Sequence, residues 1–215
     1  MEKKRKRAVQ KRTLENKEKL INSADKLFKE KGFYNTNSKE IANNAGVSTG
    51  VFYNYFKDKI GVFLEIFQGD CDYSYNLLKE LIHKVLLNNK ASNEIFTEYL
   101  HIGIDSLYRS GHIYEEIDSL KKEYTEVEII FQNHNKRVKK LLKPFFESAN
   151  KSKPLVNFEL KYDILINTLK GNASAITRIE DEKYRNEYVD GLIDMIYKFA
   201  VENAKQNPVT KDKLR

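Results

Sequence analysis

The side chains best suited to chemistry lie in residues 37–59, NSKEIANNAGVSTGVFYNYFKDK. Ser38, Lys39, Ser48, Thr49, Tyr53, Asn54, Tyr55 and Lys59 offer hydroxyls, an amide and ammonium groups. Those groups suit hydrogen bonds to base edges and phosphates rather than bond cleavage. Gly50 would let a backbone come close, and Val51 would offer a methyl surface to a thymine. Thr49 and Tyr53 are the expected base readers, with Lys39 reaching a base or a phosphate. Ser38, Asn54, Tyr55 and Lys59 are the expected phosphate clamps that fix register.

Other chemistry has little support. His83, His101, His112 and His134 are scattered, with no HExxH pair and no cysteine partners, so no metal site is expected. No glycine-rich phosphate loop and no Gly-x-Ser-x-Gly elbow occurs. The single cysteine, Cys71, stands between Asp70 and Asp72, which disfavour a thiolate. The expectation is a protein that is not an enzyme and carries no cofactor.

Two short helices must position the reading residues. Ile41, Ala42 and Ala45 make a buried stripe for the first. Asn37 caps it, and Glu40 stands three residues on, where a capping box would have it reach back. Gly46 supplies the left-handed residue that ends the helix, and Val47 turns into the core. Ser48 caps the second helix, whose Phe52 and Phe56 face inward together. The pair reads as a helix-turn-helix over residues 37–56, a device for placing a short helix in the major groove.

The charge agrees. The chain has 38 Lys+Arg against 31 Asp+Glu, a net +7. Up to Lys59 there are 15 basic and 7 acidic residues, and beyond it 23 and 24. The whole excess therefore lies on the helix-turn-helix side, which is the footprint of a polyanion binder. Lys3, Lys4, Arg5, Lys6, Arg7, Lys11 and Arg12 form a basic arm, suited to phosphates or to a minor groove.

The residues from Leu20 to Phe67 carry a family resemblance. Leu27-Phe28, Gly32-Phe33, Ile41-Ala42, Ala45-Gly46-Val47-Ser48, Gly50, Tyr53, Phe56 and Lys59 stand in the order and at the spacing of the TetR family of bacterial transcriptional repressors. Asn37 replaces the usual Thr or Ser, and Ile60-Gly61 the usual Glu-containing pair. The resemblance implies an all-α fold: a three-helix head, a long fourth helix, and a helical domain for effector and dimer. It also implies a homodimeric repressor whose effector moves the fourth helix and so changes the spacing of the two heads.

The rest of the chain fits that frame. With 32% charged residues and three prolines, it suits helices throughout. No apolar run is long enough for a membrane span and the N-terminus is too charged for a signal peptide, so a cytoplasmic protein is expected. The expected divisions are a basic arm (1–12), a DNA-binding domain (13–59), an effector and dimerisation domain (60–206) and a polar tail (207–215). A helix from Asp58 to about Leu87, about 45 Å long, would join head to body. Phe63, Phe67, Phe96, Tyr99, Tyr124, Phe131 and His134 are the expected lining of a pocket for a small apolar or aromatic effector. Leu165, Leu169, Ile176, Leu192, Ile193, Ile196 and Phe199, on two closing helices, are the expected dimer interface. The partners are thus double-stranded DNA, a second copy and an effector. The competing reading is a ligand-blind DNA-binding or architectural protein with the same head.

Overall fold

The structure is a computed structural model that describes residues 2–88, 97, 98, 100–104, 112–149 and 158–200. The backbone in those ranges is helical, with turns between. In chain order the helices are α1 (Glu2–Lys31), α2 (Ser38–Asn44), α3 (Thr49–Tyr53), α4 (Lys59–Asn88), α5 (His112–Glu123), α6 (Thr125–Ala149), α7 (Phe158–Thr177) and α8 (Glu182–Ala200). Residues 100–104 are helical as well. No strand occurs among the described residues, so the all-α expectation holds. The polar tail expected over 207–215 lies outside those residues. Among the described residues, no helix is long and apolar enough to cross a membrane.

The backbone of the basic arm is helical, continuous with α1 from Glu2. Leu20, Ala24, Leu27 and Phe28, spaced four, three and one apart, then bury one face of that helix. Gly32 stops it with φ +84°, its N–H returned to the Phe28 carbonyl at 2.9 Å.

The described chain divides into two compact units, residues 1–73 with 109–133, and residues 74–108 with 134–215. In the first, Leu20, Phe28, Phe33, Ile41, Phe52 and Val62 are fully buried, and so are Leu120 of α5 and Val127 of α6. The core of the head thus draws on residues well beyond the helix-turn-helix. Its centre is aromatic, with Phe33 meeting Phe28, Phe63 and Tyr124 at ring separations of 5.5, 5.3 and 5.9 Å.

In the second unit, Leu78, Leu81 and Ile82 of α4 pack with Leu100, Ile104, Val138, Leu142 and the inward faces of α7 and α8. The expected dimer residues fall in this core. Leu165, Ile176, Leu192, Ile193 and Ile196 are only 2–6% exposed in a single chain. These five belong to the core that the single chain builds. Leu169 and Phe199 are half-buried.

Candidate nucleic-acid interface

Local chemistry fixes the two short helices. The Asn37 Oδ1 accepts the Glu40 N–H at 3.0 Å, which caps α2. The reciprocal half of the capping box is absent, because the Glu40 carboxylate is drawn to the Lys31 ammonium instead. An ammonium offers a stronger, charge-assisted partner than a backbone N–H. At the other end Gly46 has φ +68°, and a Schellman pair closes the helix: Gly46 N–H to Asn43 O at 3.1 Å and Val47 N–H to Ala42 O at 3.0 Å. Ser48 Oγ then accepts the Val51 N–H at 3.3 Å, which starts α3.

Internal contacts orient the pair. The buried Ser23 hydroxyl of α1 donates to the Ile41 carbonyl of α2 at 2.8 Å. Ile41, Ala42 and Phe52 are fully buried and Phe56 nearly so, which holds α2 and α3 against α1 and leaves their outer faces to solvent. On those faces Lys39, Ser48, Gly50, Tyr53 and Asn54 are exposed, Tyr53 by 57%. Ser38, Thr49, Val51 and Tyr55 are half-buried beside them. Of the ten expected reading residues, five are thus exposed and four half-buried, with Tyr55 packed in part against the core of the head.

Lys59 is the exception. Its ammonium donates to the carbonyls of Phe33 at 2.8 Å and Thr36 at 3.0 Å, with a longer contact to that of Tyr34. It also stands 4.3 Å from the Phe33 ring centroid. An ammonium has three N–H groups, and here they are turned inward. Lys59 clamps the turn after α1, and the expected phosphate clamp becomes an internal one. Burial lowers its pKa, while the charges of Glu116 and Glu123 oppose that shift.

Sequence reasoning missed those two acids. Glu116 accepts the Phe33 N–H at 2.5 Å, and Glu123 accepts the Tyr34 hydroxyl at 2.7 Å. The hydrogen bond to Glu123, aided by burial, pushes the Tyr34 phenol up to about 12. In the sequence, Glu116 lies 83 residues from its partner, and no local pattern marks such a pairing.

Among the described residues, the expected effector lining falls in both units. Phe63 is 1% exposed in the core of the head, and Phe67 and Tyr124 pack against that same core. They pack within the head because the first half of α4 belongs to that unit. Phe131 lies in the same unit, its ring 4.3 Å from the Lys121 ammonium. His134 is half-buried in the second unit. Phe96 and Tyr99 lie outside the described residues. A cleft of about 680 Å³ does occur in the second unit, lined by Asn76, Lys79, Glu80, Ile82, His83 and Lys84 of α4 and Leu141 of α6. Among the described residues, no group of three or more His, Cys, Asp or Glu could hold a metal ion.

Residues 20–66 match the family described as bacterial regulatory proteins, tetR family. Over 45 residues the chain is 49% identical to the HTH-type transcriptional regulator HbdR of Aromatoleum sp. (strain CIB); that stretch is 21% of this chain and 20% of HbdR. The likeness of the whole fold extends further. The fatty acid degradation regulator FadR from Bacillus halodurans superposes with TM-score 0.68 at 15% identity, over 89% of this chain and 97% of its own. A transcriptional regulator FadR from Bacillus subtilis, solved in complex with stearoyl-CoA, gives 0.65 at 16% identity, over 83% and 96%. The head carries the TetR-family signature in sequence, and the chain has the fold of TetR-family regulators.

Proposed function

From a TetR-family head on a TetR-like fold, we propose that this chain is a homodimeric transcriptional repressor that binds a palindromic operator and is released by a small-molecule effector. The observation that carries the reading is the exposed surface of α2 and α3, where Lys39, Ser48, Thr49, Gly50, Val51, Tyr53 and Asn54 cluster on the basic side of the chain. Thr49 and Tyr53 read base edges, Gly50 admits the backbone, and Val51 packs on a thymine methyl. Ser38, Asn54 and Tyr55 hold phosphates.

The dimer face is drawn from what the single chain leaves uncovered. On α7, Leu160, Ile164, Gly171 and Ala175 are exposed along one face, as are Tyr184, Gly191 and Met195 on α8. Each set follows the three-and-four spacing of a helical stripe. Small residues in such stripes allow close approach of a second copy, which would form a four-helix bundle.

For the effector, the cleft of the second unit offers Ile82 and Leu141 beside Lys79, Lys84 and His83, with Glu80 the one acid in its lining. That chemistry suits an apolar tail with an anionic head, and the stearoyl-CoA bound by the Bacillus subtilis FadR is a compound of that kind.

Selection from a pool of random duplexes tests the reading. The expected result is enrichment of a two-fold symmetric site, with binding weakened by an acyl-CoA. Enrichment without release by any apolar anion would favour the ligand-blind alternative, and no enrichment would refute sequence-specific binding.

A further inference from the structure

Three separate stretches of sequence meet at the turn after α1. The turn begins with Gly32 in the left-handed region, continues through the fully buried Phe33, and closes where the buried Thr36 hydroxyl donates to the Gly32 carbonyl at 2.7 Å. Asn37 follows at once and caps α2. Whatever fixes residues 32–36 therefore fixes where α2 starts.

Part of what fixes them comes from α5. Glu116, Leu120 and Glu123 are spaced four and three apart, so they share one face of that helix. Leu120 is fully buried in the core of the head, Glu116 takes the Phe33 N–H, and Glu123 takes the Tyr34 hydroxyl. The approach at Gly32 is close: a Cβ there would stand 2.5 Å from Glu116 Oε1. Lys59, the first residue of α4, holds the carbonyls of the same turn and feels the charge of both acids.

We propose that the Glu116–Leu120–Glu123 face of α5 is a positioning element of the DNA-reading head. It holds the turn of residues 32–36 and, through Asn37, sets the start of α2 and the placement of α3 behind it. The inference rests on the DNA-binding reading and adds to it residues far from the helix-turn-helix in sequence. Hydrogen bonds weaken steeply with length, so a withdrawal of α5 by about 1 Å would loosen both carboxylate contacts at once.

The test uses the full-length protein and the duplex that it selects. Glu116→Ala, Glu116→Gln and Tyr34→Phe are compared with the parent for affinity to that duplex and to a scrambled one. Amide exchange at Phe33 is followed in parallel, at a temperature where circular dichroism shows every variant folded. Glu116→Ala should lower the ratio of selected to scrambled affinity by at least about fivefold, at the low end of ordinary coupling between sites, and should speed exchange at Phe33. Glu116→Gln should restore most of both, because its amide oxygen accepts the same N–H. Tyr34→Phe keeps the ring, so it loosens the turn without emptying the core and should lower the ratio by a smaller factor. If Glu116→Ala keeps the parent ratio, or Glu116→Gln does no better than Glu116→Ala, the positioning role is overturned. A parent that selects no sequence overturns the DNA reading and the positioning role together, whereas a selective parent with insensitive variants overturns the positioning role alone.

Discussion

Replacing Gly32 by alanine should destabilise the head more than replacing Gly46 does, and the structure sets the margin. Both glycines are left-handed, with φ +84° and +68°. An L side chain in that region costs about 1–2 kcal/mol at either position. The entropy that alanine removes from the unfolded chain, about 0.4–1 kcal/mol in the opposite sense, is likewise shared. The surroundings differ. A Cβ at Gly46 meets nothing within 4 Å, whereas one at Gly32 falls 2.5 Å from the Glu116 carboxylate. That carboxylate is the far end of a flexible side chain, so it will swing away, and its hydrogen bond to the Phe33 N–H goes with it. A hydrogen bond to a charged group contributes about 1.5–3 kcal/mol, and water can replace part of it at this half-buried site. Gly32→Ala should therefore lose about 1–2 kcal/mol more than Gly46→Ala. Urea denaturation of both variants, followed by circular dichroism, measures the difference as a shift in midpoint at constant slope. Equal midpoints, or a less stable Gly46→Ala, would mean that the carboxylate does not hold the turn.

Four further outcomes follow from named side chains. Ile193→Glu should unfold the second unit, because it puts a carboxylate where the single chain leaves 3% exposed. Met195→Glu, at a position 52% exposed, should leave a folded chain that sediments as a monomer; a dimeric Met195→Glu would place the partner elsewhere. Tyr53→Ala should weaken binding to the selected duplex by about 1–3 kcal/mol while leaving thermal stability near the parent's, and a scrambled duplex should show little change. The Tyr34 phenol is raised from 10.0 to about 12, so its contribution to stability is complete below the unfolded value and disappears as pH climbs through the folded one. Between those values the parent should lose stability more steeply than Tyr34→Phe, and parallel slopes in urea titrations across that range would contradict the assignment.

What the sequence made legible was local. The Asn37 and Ser48 caps, the left-handed Gly46 and the inward Phe52 and Phe56 depend on neighbours within four residues, and all stand as read. Long-range choices were not legible. The periodic stripe through Leu192, Ile193 and Ile196 says that one face is buried, but periodicity is silent on whether the same chain or a second copy covers it. The same chain does. Phe63, Phe67 and Tyr124 suggested a pocket because aromatic residues suit both pockets and solid cores. The deciding fact is that the first half of α4, with α5 and the start of α6, belongs to the unit of the head. α4 runs unbroken from Lys59 to Asn88, so nothing in its pattern marks where one core ends. Lys59 fitted a phosphate clamp by type, and only the converging carbonyls of the turn show that its ammonium is engaged.

In the proposed complex α3 enters a major groove with Thr49, Val51 and Tyr53 toward the bases. Chemical footprinting of the selected duplex tests it directly, since guanine N7 and the thymine methyl lie only in the major groove. Guanine N7 should be protected from methylation in both half-sites. Replacing one thymine per half-site by uracil should lower affinity, a loss that Val51→Ala should remove. Tight, sequence-selective binding with guanine N7 open to methylation throughout, and with no thymine methyl required, would contradict it.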